Sequence, residues 1–264
     1  MARALITGCS TGFGRATAIE LKKRGYEVVA TARRPETLAD IDADARLALD
    51  VTDDASVAAA VAAAGSIDVL VNNAGIGLAG PVEVVPVAEV RRLFETNVFG
   101  PLRMMQAVLP QMRARRAGAI VNLSSVSGKI AAPLSGLYAA SKYALEAMSE
   151  ALHIEAGHFG IRTIVIEPGY FRTSFSQSHR DFGVDAPPYD ELAVIMEKVS
   201  GQLGRDAAPG PEVVATAIAD ALEQDGPPWR VPVGEDAKMI IGTRAQMDDA
   251  TFEKTMREVV NLEW

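Results

Sequence analysis

Ala4-Leu5-Ile6-Thr7-Gly8-Cys9-Ser10-Thr11-Gly12-Phe13-Gly14 continues as Arg15-Ala16-Thr17-Ala18-Ile19-Glu20-Leu21. An apolar run breaks at glycine, turns through small polar residues, and becomes an Ala/Leu/Lys-rich helical pattern ending at Gly25. The order is strand, Gly-rich turn, helix. The helix amino terminus offers unpaired N–H groups and the positive end of its dipole to a pyrophosphate. The spacing is G-x3-G-x-G, not G-x-G-x-x-G. A strand-to-helix turn that needs glycine only for tight geometry would read the same way, so the turn alone leaves both readings open.

Strand and helix patterns alternate along the rest of the chain. Strands are expected near 3–7, 27–31, 46–49, 67–72, 118–124, 161–167 and 229–233. Helices are expected near 13–24, 53–64, 87–115, 137–157, 210–223 and 246–260. The first six strands are apolar runs, as required when both faces of a sheet are covered. Crossovers of this length give an α/β fold: a doubly wound parallel sheet of Rossmann type in one domain over 1–264. Pro101 and Pro110 fall inside 87–115, so that stretch should be bent or split. The least regular region, 171–209, contains Pro187-Pro188 and follows a strand end on the side where ligands bind such sheets. It is expected to be a substrate lid.

The chain has 264 residues, 48% of them hydrophobic, and a net charge of −8 from 26 basic and 34 acidic side chains. An acidic balance argues against nucleic-acid partners, which need a basic face. The single cysteine, Cys9, rules out an internal disulfide and fits a reducing cytoplasm. The start runs directly into strand-like sequence, without a signal-peptide pattern, and no apolar stretch reaches membrane-spanning length. The expected location is cytoplasmic.

Tyr138-Ala139-Ala140-Ser141-Lys142 carries the chemistry. Residues four apart on a helix lie one above the other. A free phenol has a pKa of roughly 10. A nearby ammonium favours the phenolate and is expected to lower that value. A tyrosine tuned toward neutrality passes a proton to or from a substrate oxygen. An exposed aromatic–cation pair is the competing reading.

Together the Gly-rich turn and Tyr138/Lys142 resemble the short-chain dehydrogenase/reductase family. Further matches follow in order: Asn72-Asn73-Ala74-Gly75 after Val69-Leu70-Val71, Asn97, Ser124-Ser125 with Ser125 thirteen residues before Tyr138, Pro168-Gly169, and Thr173. The resemblance covers residues 2 to 235. Thr7-Gly8-Cys9-Ser10-Thr11-Gly12-Phe13-Gly14 and Ala30-Thr31-Ala32-Arg33 are similar to the branch of hydroxysteroid and retinol dehydrogenases. The resemblance implies roles. Tyr138 is the proton donor or acceptor, Lys142 its partner and a ligand of the nicotinamide ribose. Ser125 holds the substrate oxygen, and Asn97 holds a water linking Lys142 to solvent. Asn97 also reads as a helix asparagine satisfying local backbone, Ser125 as a strand-end turn serine. The cofactor would lie on Gly8, Ser10, Thr11, Gly12, Phe13, Gly14, Asn73, Ala74 and Gly75, with Pro168, Gly169 and Thr173 at the nicotinamide end. Asp50-Val51 would meet the adenine, although Asp50 also reads as a helix cap, a job that Thr52 or Asp53 fits better. A homodimer or homotetramer is expected from the resemblance.

Cofactor type turns on Val28-Val29-Ala30-Thr31-Ala32-Arg33-Arg34. An acid here would hold the ribose hydroxyls of NAD, whereas a guanidinium suits a 2′-phosphate. Arg33 and Arg34 therefore favour NADP(H), with NAD(H) the alternative. Ser10-Thr11 stand where many NADP-using relatives carry a basic residue, and a solvated loop pair is the plain reading of Arg33-Arg34. The substrate is expected to be a mainly apolar carbonyl or alcohol against Ser127, Leu134, Leu137, Tyr170, Phe171 and Phe175, with Phe182 and Met196 from the lid. Arg172 and Arg180 are read as lid-surface charges. His153, His158 and His179 lack metal-cluster spacing. A catalytically weak dinucleotide-binding regulator on the same fold is the rival function. A nucleotide-sugar epimerase is disfavoured because little chain follows position 209.

Overall fold

In the strand Arg3–Ile6, Ala4 and Ile6 turn to one face and Leu5 to the other, and all three are fully buried. The same alternation recurs in the neighbouring strands, which is why they read as unbroken apolar runs. The protein is described by a computed structural model over residues 1–260; the last four residues of the expected domain lie outside the described residues.

The chain order is β1 (Arg3–Ile6), α1 (Gly12–Lys23), β2 (Glu27–Ala32), β3 (Ala45–Ala48), α2 (Asp54–Ala64), β4 (Val69–Asn72) and β5 (Gly77–Ala79). Then come α3 (Val87–Phe94), α4 (Gly100–Arg115), β6 (Gly118–Leu123), α5 (Gly136–Gly157), β7 (Ile161–Pro168) and β8 (His179–Asp181). The chain closes with α6 (Asp190–Gln202), α7 (Glu212–Glu223), β9 (Arg230–Val233), α8 (Glu235–Ala245) and α9 (Asp249–Val260). Seven strands form one parallel sheet in the order β3-β2-β1-β4-β6-β7-β9. The strand order reverses between β1 and β4, which opens a crevice at their carboxyl ends.

One face packs Ala4, Ile6, Val28 and Val71 against Ala18 and Leu21 of α1 and Val214 and Ile218 of α7. The other packs Leu5, Val29, Leu70 and Ile120 against Val57 of α2, Met104 and Met112 of α4, and Ala156 of α5. Between the β6 and α5 layers, Asn122 donates to Ser149 Oγ at 2.8 Å and accepts from Asn72 at 2.9 Å, which links a buried polar trio across the sheet, with Asn72 Oδ1 left without a protein partner. Asp53 caps α2, its carboxylate accepting from Ser56 N at 2.7 Å.

One expectation is met in part and one changes. The stretch 87–115 is split by a π-helical turn, Glu95–Phe99, just before Pro101, whereas Pro110 sits inside α4 without ending it. Pro101 lies in the first turn of α4, where a missing N–H costs least. The region 171–209 is more ordered than expected: it contains β8 and α6. β8 pairs in parallel with β5, Gly77 opposite His179 and Ala79 opposite Asp181, so this region is fastened to the loop after β4. Among the described residues, no helix is long and apolar enough to cross a membrane.

Candidate active site

Strand ends supply the turns and α5 supplies the charges. Ser125 leaves β6 in an extended conformation and enters a short 3-10 turn, Val126–Gly128, its Oγ accepting from Ser127 N at 3.1 Å. Tyr138 lies in the first turn of α5, half-buried, with its hydroxyl hydrogen-bonded to the Ser125 side chain. Lys142, one turn on and buried, has its Nζ 5.8 Å from the Tyr138 ring centroid and donates to the Leu123 carbonyl at 2.8 Å. The three side chains expected to do the chemistry therefore converge at the carboxyl end of β6.

The expected lowering of the Tyr138 pKa is not what this geometry gives. Burial pushes the phenol up to about 12, with the Ser125 hydrogen bond pulling the other way. Burial pushes the Lys142 ammonium down to about 8, opposed by the charge of Glu146. Desolvation of their charged forms outweighs attraction across that separation. Tyr138 is thus held as a neutral phenol, the form that donates a proton.

Asn97 sits buried in the π-helical turn. Its amide accepts from Ile76 N at 2.9 Å and donates to Ile76 O at 3.0 Å and Ser141 Oγ at 3.2 Å. It satisfies backbone, but distant backbone, and so ties the loop after β4 to α5. Both amide hydrogens are used by protein atoms.

The crevice is lined by the Gly-rich turn. Gly8 has φ +72°, a conformation that favours glycine, and a side chain on Gly14 would run into the Asn73 amide and the Gly8 carbonyl. Asn73 donates to Thr7 O at 2.7 Å and Gly8 O at 3.1 Å, while the N–H groups of Asn73 and Ala74 donate to Thr7 Oγ1 at 2.9 Å each. Asn73 and Ala74 thus clamp the turn, and Gly75 lies against Asn97. Ser10 and Thr11 lead into α1, and Thr11 at its N-cap makes no side-chain cap bond. The first-turn N–H groups of Gly12, Phe13 and Gly14 are left open to a ligand, which fits a dinucleotide pyrophosphate.

At the rim, Arg33 and Arg34 are exposed after β2. Burial draws the Asp50 carboxyl upward, but hydrogen bonds from Thr52 and the charge of Arg33 hold it below its ordinary value. Val51 is buried against Gly100. Thr173 stands over Gly12, 3.7 Å from where a side chain there would begin. Gly169 N donates to Val233 O at 3.0 Å, and the next residue, Tyr170, donates its N–H to Asp236 Oδ2 at 2.6 Å. Asp236 of α8 thus shapes the turn after Pro168, a role no local pattern marked.

The expected substrate residues divide. Phe175 faces Tyr138 at 6.1 Å between ring centroids, and Leu137 and Phe182 pack with Leu78, Val85 and Leu93 beside it. Ser127 is half-buried next to Ser125, and Leu134 has φ +63° with its carbonyl accepting from Gly80 N at 2.7 Å. Tyr170 turns away, its hydroxyl on Ser200 Oγ at 3.2 Å, and Phe171 packs edge-on against Phe13 at 5.5 Å, over the Gly-rich turn. Met196 is half-buried on α6. Arg180 is held by Glu89 at 2.8 Å, while Arg172 is exposed. Val82 and Val84, in a loop no pattern assigned, and Val87 at the start of α3 form an exposed apolar lip. The three histidines are apart: His153 stacks on Trp229, His158 meets Phe159 edge-on, and His179 pairs with Asp181.

Comparison with known proteins agrees with this geometry. Residues 2–182 match the family described as short chain dehydrogenase. The chain is 37% identical over 260 residues to a 3-ketodihydrosphingosine reductase of Bacteroides thetaiotaomicron, covering 96% of each. It is 38% identical over 246 residues to retinol dehydrogenase 8 of Homo sapiens, covering 86% of this chain and 79% of the relative. A short chain dehydrogenase from Burkholderia cenocepacia J2315, solved in complex with NADP, superimposes with a TM-score of 0.79 at 27% identity, covering 97% of both chains.

Proposed function

The chain belongs to the short-chain dehydrogenase family, and from that premise we propose that it interconverts an alcohol and a ketone or aldehyde with NADP(H), Tyr138 acting as general acid and base. The observation that carries the reading is the joining of Tyr138, Ser125 and Lys142 at one strand end beside the open turn of α1. Bound NADP(H) would supply or accept the hydride. Gly8, Gly12, Phe13 and Gly14 cradle its phosphates, and Lys142 orients its ribose. Ser125 holds the substrate oxygen and stabilises charge developing there. Tyr138 gives its proton to that oxygen in reduction and takes it back in oxidation. Arg33, exposed at the rim, would bind the 2′-phosphate; the NADP complex of a relative supports this choice.

The substrate is mainly apolar. Phe175, Leu137 and Phe182 flank Tyr138, the valine lip extends the apolar surface, and Arg180 is neutralised by Glu89. Relatives named for 3-ketodihydrosphingosine and for retinol support a keto or alcohol group as the reacting centre. Tyr143 and Ile154 on α5 are exposed apolar side chains that fit a homodimer or homotetramer. A panel of ketones assayed with NADPH tests the pocket: catalytic efficiency should rise with apolar bulk beside the carbonyl, each well-buried methylene adding on the order of 0.8 kcal/mol. Better turnover of acidic or sugar-like carbonyls would refute it and point to Arg172.

A further inference from the structure

Val82, Val84 and Val87 are 70%, 43% and 65% exposed, on a stretch of chain that its neighbours hold fast. Val84 N and Val85 N both donate to Pro81 O, at 3.0 Å and 3.2 Å, so residues 81–85 form one tight turn. Gly80 N donates to Leu134 O at 2.7 Å, Phe182 N donates to Ala79 O at 3.0 Å, and the Tyr189 hydroxyl donates to Glu83 at 2.7 Å. Leu134 makes its contact at φ +63°, a left-handed conformation that is strained for a residue with a Cβ. A turn tied down in this way keeps its valines outside and presents them to solvent.

The valine lip is continuous with the reacting centre. Gly136 opens α5 two residues before Tyr138, half-buried and without the positive φ that would call for glycine. A Cβ placed there would have Val82 Cγ2, at 3.4 Å, as its one neighbour within 4 Å among the described residues outside its own helix backbone. The missing side chain therefore answers to space, not to backbone geometry, and leaves a gap between Tyr138 and Val82. On the far side, a Cβ on Gly183 would begin 2.7 Å from Val84 Cγ1, so Val84 borders the chain just after Phe182. Inward, Leu78, Val85 and Leu93 are buried and packed with Leu137 and Phe182, and a close-packed cluster resists insertion. Apolar surface open to a ligand runs outward instead, over Gly136 to the valines. Glu83 within the lip, and the chain's net charge of −8, disfavour a negatively charged bilayer as its occupant.

We propose that Val82, Val84 and Val87 bind the far end of an unbranched alkyl tail that leaves Tyr138 through the gap at Gly136, so that the substrate is a long-chain lipid ketone or alcohol. The tail site rests on the dehydrogenase reading above and names its substrate class. A chain one methylene wide runs from the carbonyl held by Ser125 and Tyr138, crosses Gly136, and lies along the valines. Valine is stiff at χ1, so the lip loses little side-chain freedom when it is covered. Each methylene that leaves water there raises kcat/KM by about two- to fourfold. The lip reads length away from the carbonyl, a quantity separate from bulk beside it.

The test is a series of unbranched 2-alkanones, about four to fourteen carbons long, reduced with NADPH by wild type, V82S/V87S and G136L. For wild type, kcat/KM should keep climbing with added methylenes well past the short members. In V82S/V87S the ratio of long-chain to short-chain kcat/KM should fall about tenfold or more. G136L fills the gap and should lower the same ratio at least as far, with G136A between it and wild type. NADPH affinity by fluorescence titration should stay within about twofold in every variant, which separates a lost tail site from a misfolded protein. A wild-type profile that is flat beyond the short ketones, or folded variants that keep the wild-type ratio, would overturn the tail site. In the second case, loss of cosedimentation with phosphatidylcholine vesicles in V82S/V87S would make the lip a membrane contact, and a halved mass by light scattering would make it a contact between copies of the chain. Wild type that reduces short ketones without regard to length, with Y138F dead, rejects the tail site and keeps the dehydrogenase reading. Wild type that turns over no carbonyl rejects both.

Discussion

Lys142 carries a conflict between stability and function. Its buried ammonium has a pKa pushed down to about 8 from an ordinary 10.5. Below pH 8 the side chain is charged in both folded and unfolded states, and the folded state bears the whole cost of burying it. As pH rises from 8 to 10.5 the folded lysine loses its proton first, so stability gained there offsets that cost. K142M should therefore raise Tm at pH 7, by up to about 3 kcal/mol of stability, and the advantage should shrink above pH 8. The same variant should bind NADP(H) weakly and turn over poorly. A lower Tm at pH 7 would contradict the assigned burial cost, and unchanged cofactor affinity would remove the ribose role. Arg33 has no such conflict, being exposed. R33A should weaken NADP(H) about ten- to a hundredfold and leave NAD(H) kinetics nearly unmoved. Equal effects on both cofactors would reverse the cofactor assignment.

Among the elements, the short β5–β8 pair decides how the segment 171–209 is held. Gly77 lies opposite His179, and a side chain there would collide with the His179 ring and approach Phe175 to 3.0 Å. G77V should strain the pairing by about 1–3 kcal/mol. We expect faster proteolysis within 171–209 and lower kcat/KM for the ketone, with NADPH affinity kept. Unchanged proteolysis and kinetics would show that the lid is anchored elsewhere. This pair was not legible in the sequence, because three-residue strands such as Gly77-Leu78-Ala79 and His179-Arg180-Asp181 carry no apolar run. The five inner strands of the main sheet were legible because both of their faces are buried, while the edge strands β3 and β9 are only partly buried. α6 was hidden behind Pro187-Pro188, and α8 behind a helix start marked only by Gly234. The Tyr138–Lys142 spacing announced itself because helix geometry makes such neighbours local. The approach of Val82 to Gly136 did not, since the two lie far apart in the chain.

At the scale of the whole molecule, one parallel sheet with two covered faces leaves only its carboxyl edge for chemistry. The crevice between β1 and β4, the Gly-rich turn, Ser125 and the turn after Pro168 all open on that edge, and α5 lays Tyr138 and Lys142 across it. The fold therefore brings the Gly-rich turn and a neutral phenol together by topology, and the segment 171–209 adds apolar surface beside them. The central claim is that Tyr138 passes the proton in an NADP(H)-dependent carbonyl reaction. The direct measurement is steady-state NADPH oxidation with an apolar ketone by wild type and Y138F, alongside NADPH affinity by fluorescence titration. Y138F keeps the ring and loses the proton, so turnover should drop by several orders of magnitude while affinity stays nearly the same. A variant that retains a tenth or more of the wild-type rate would contradict the claim.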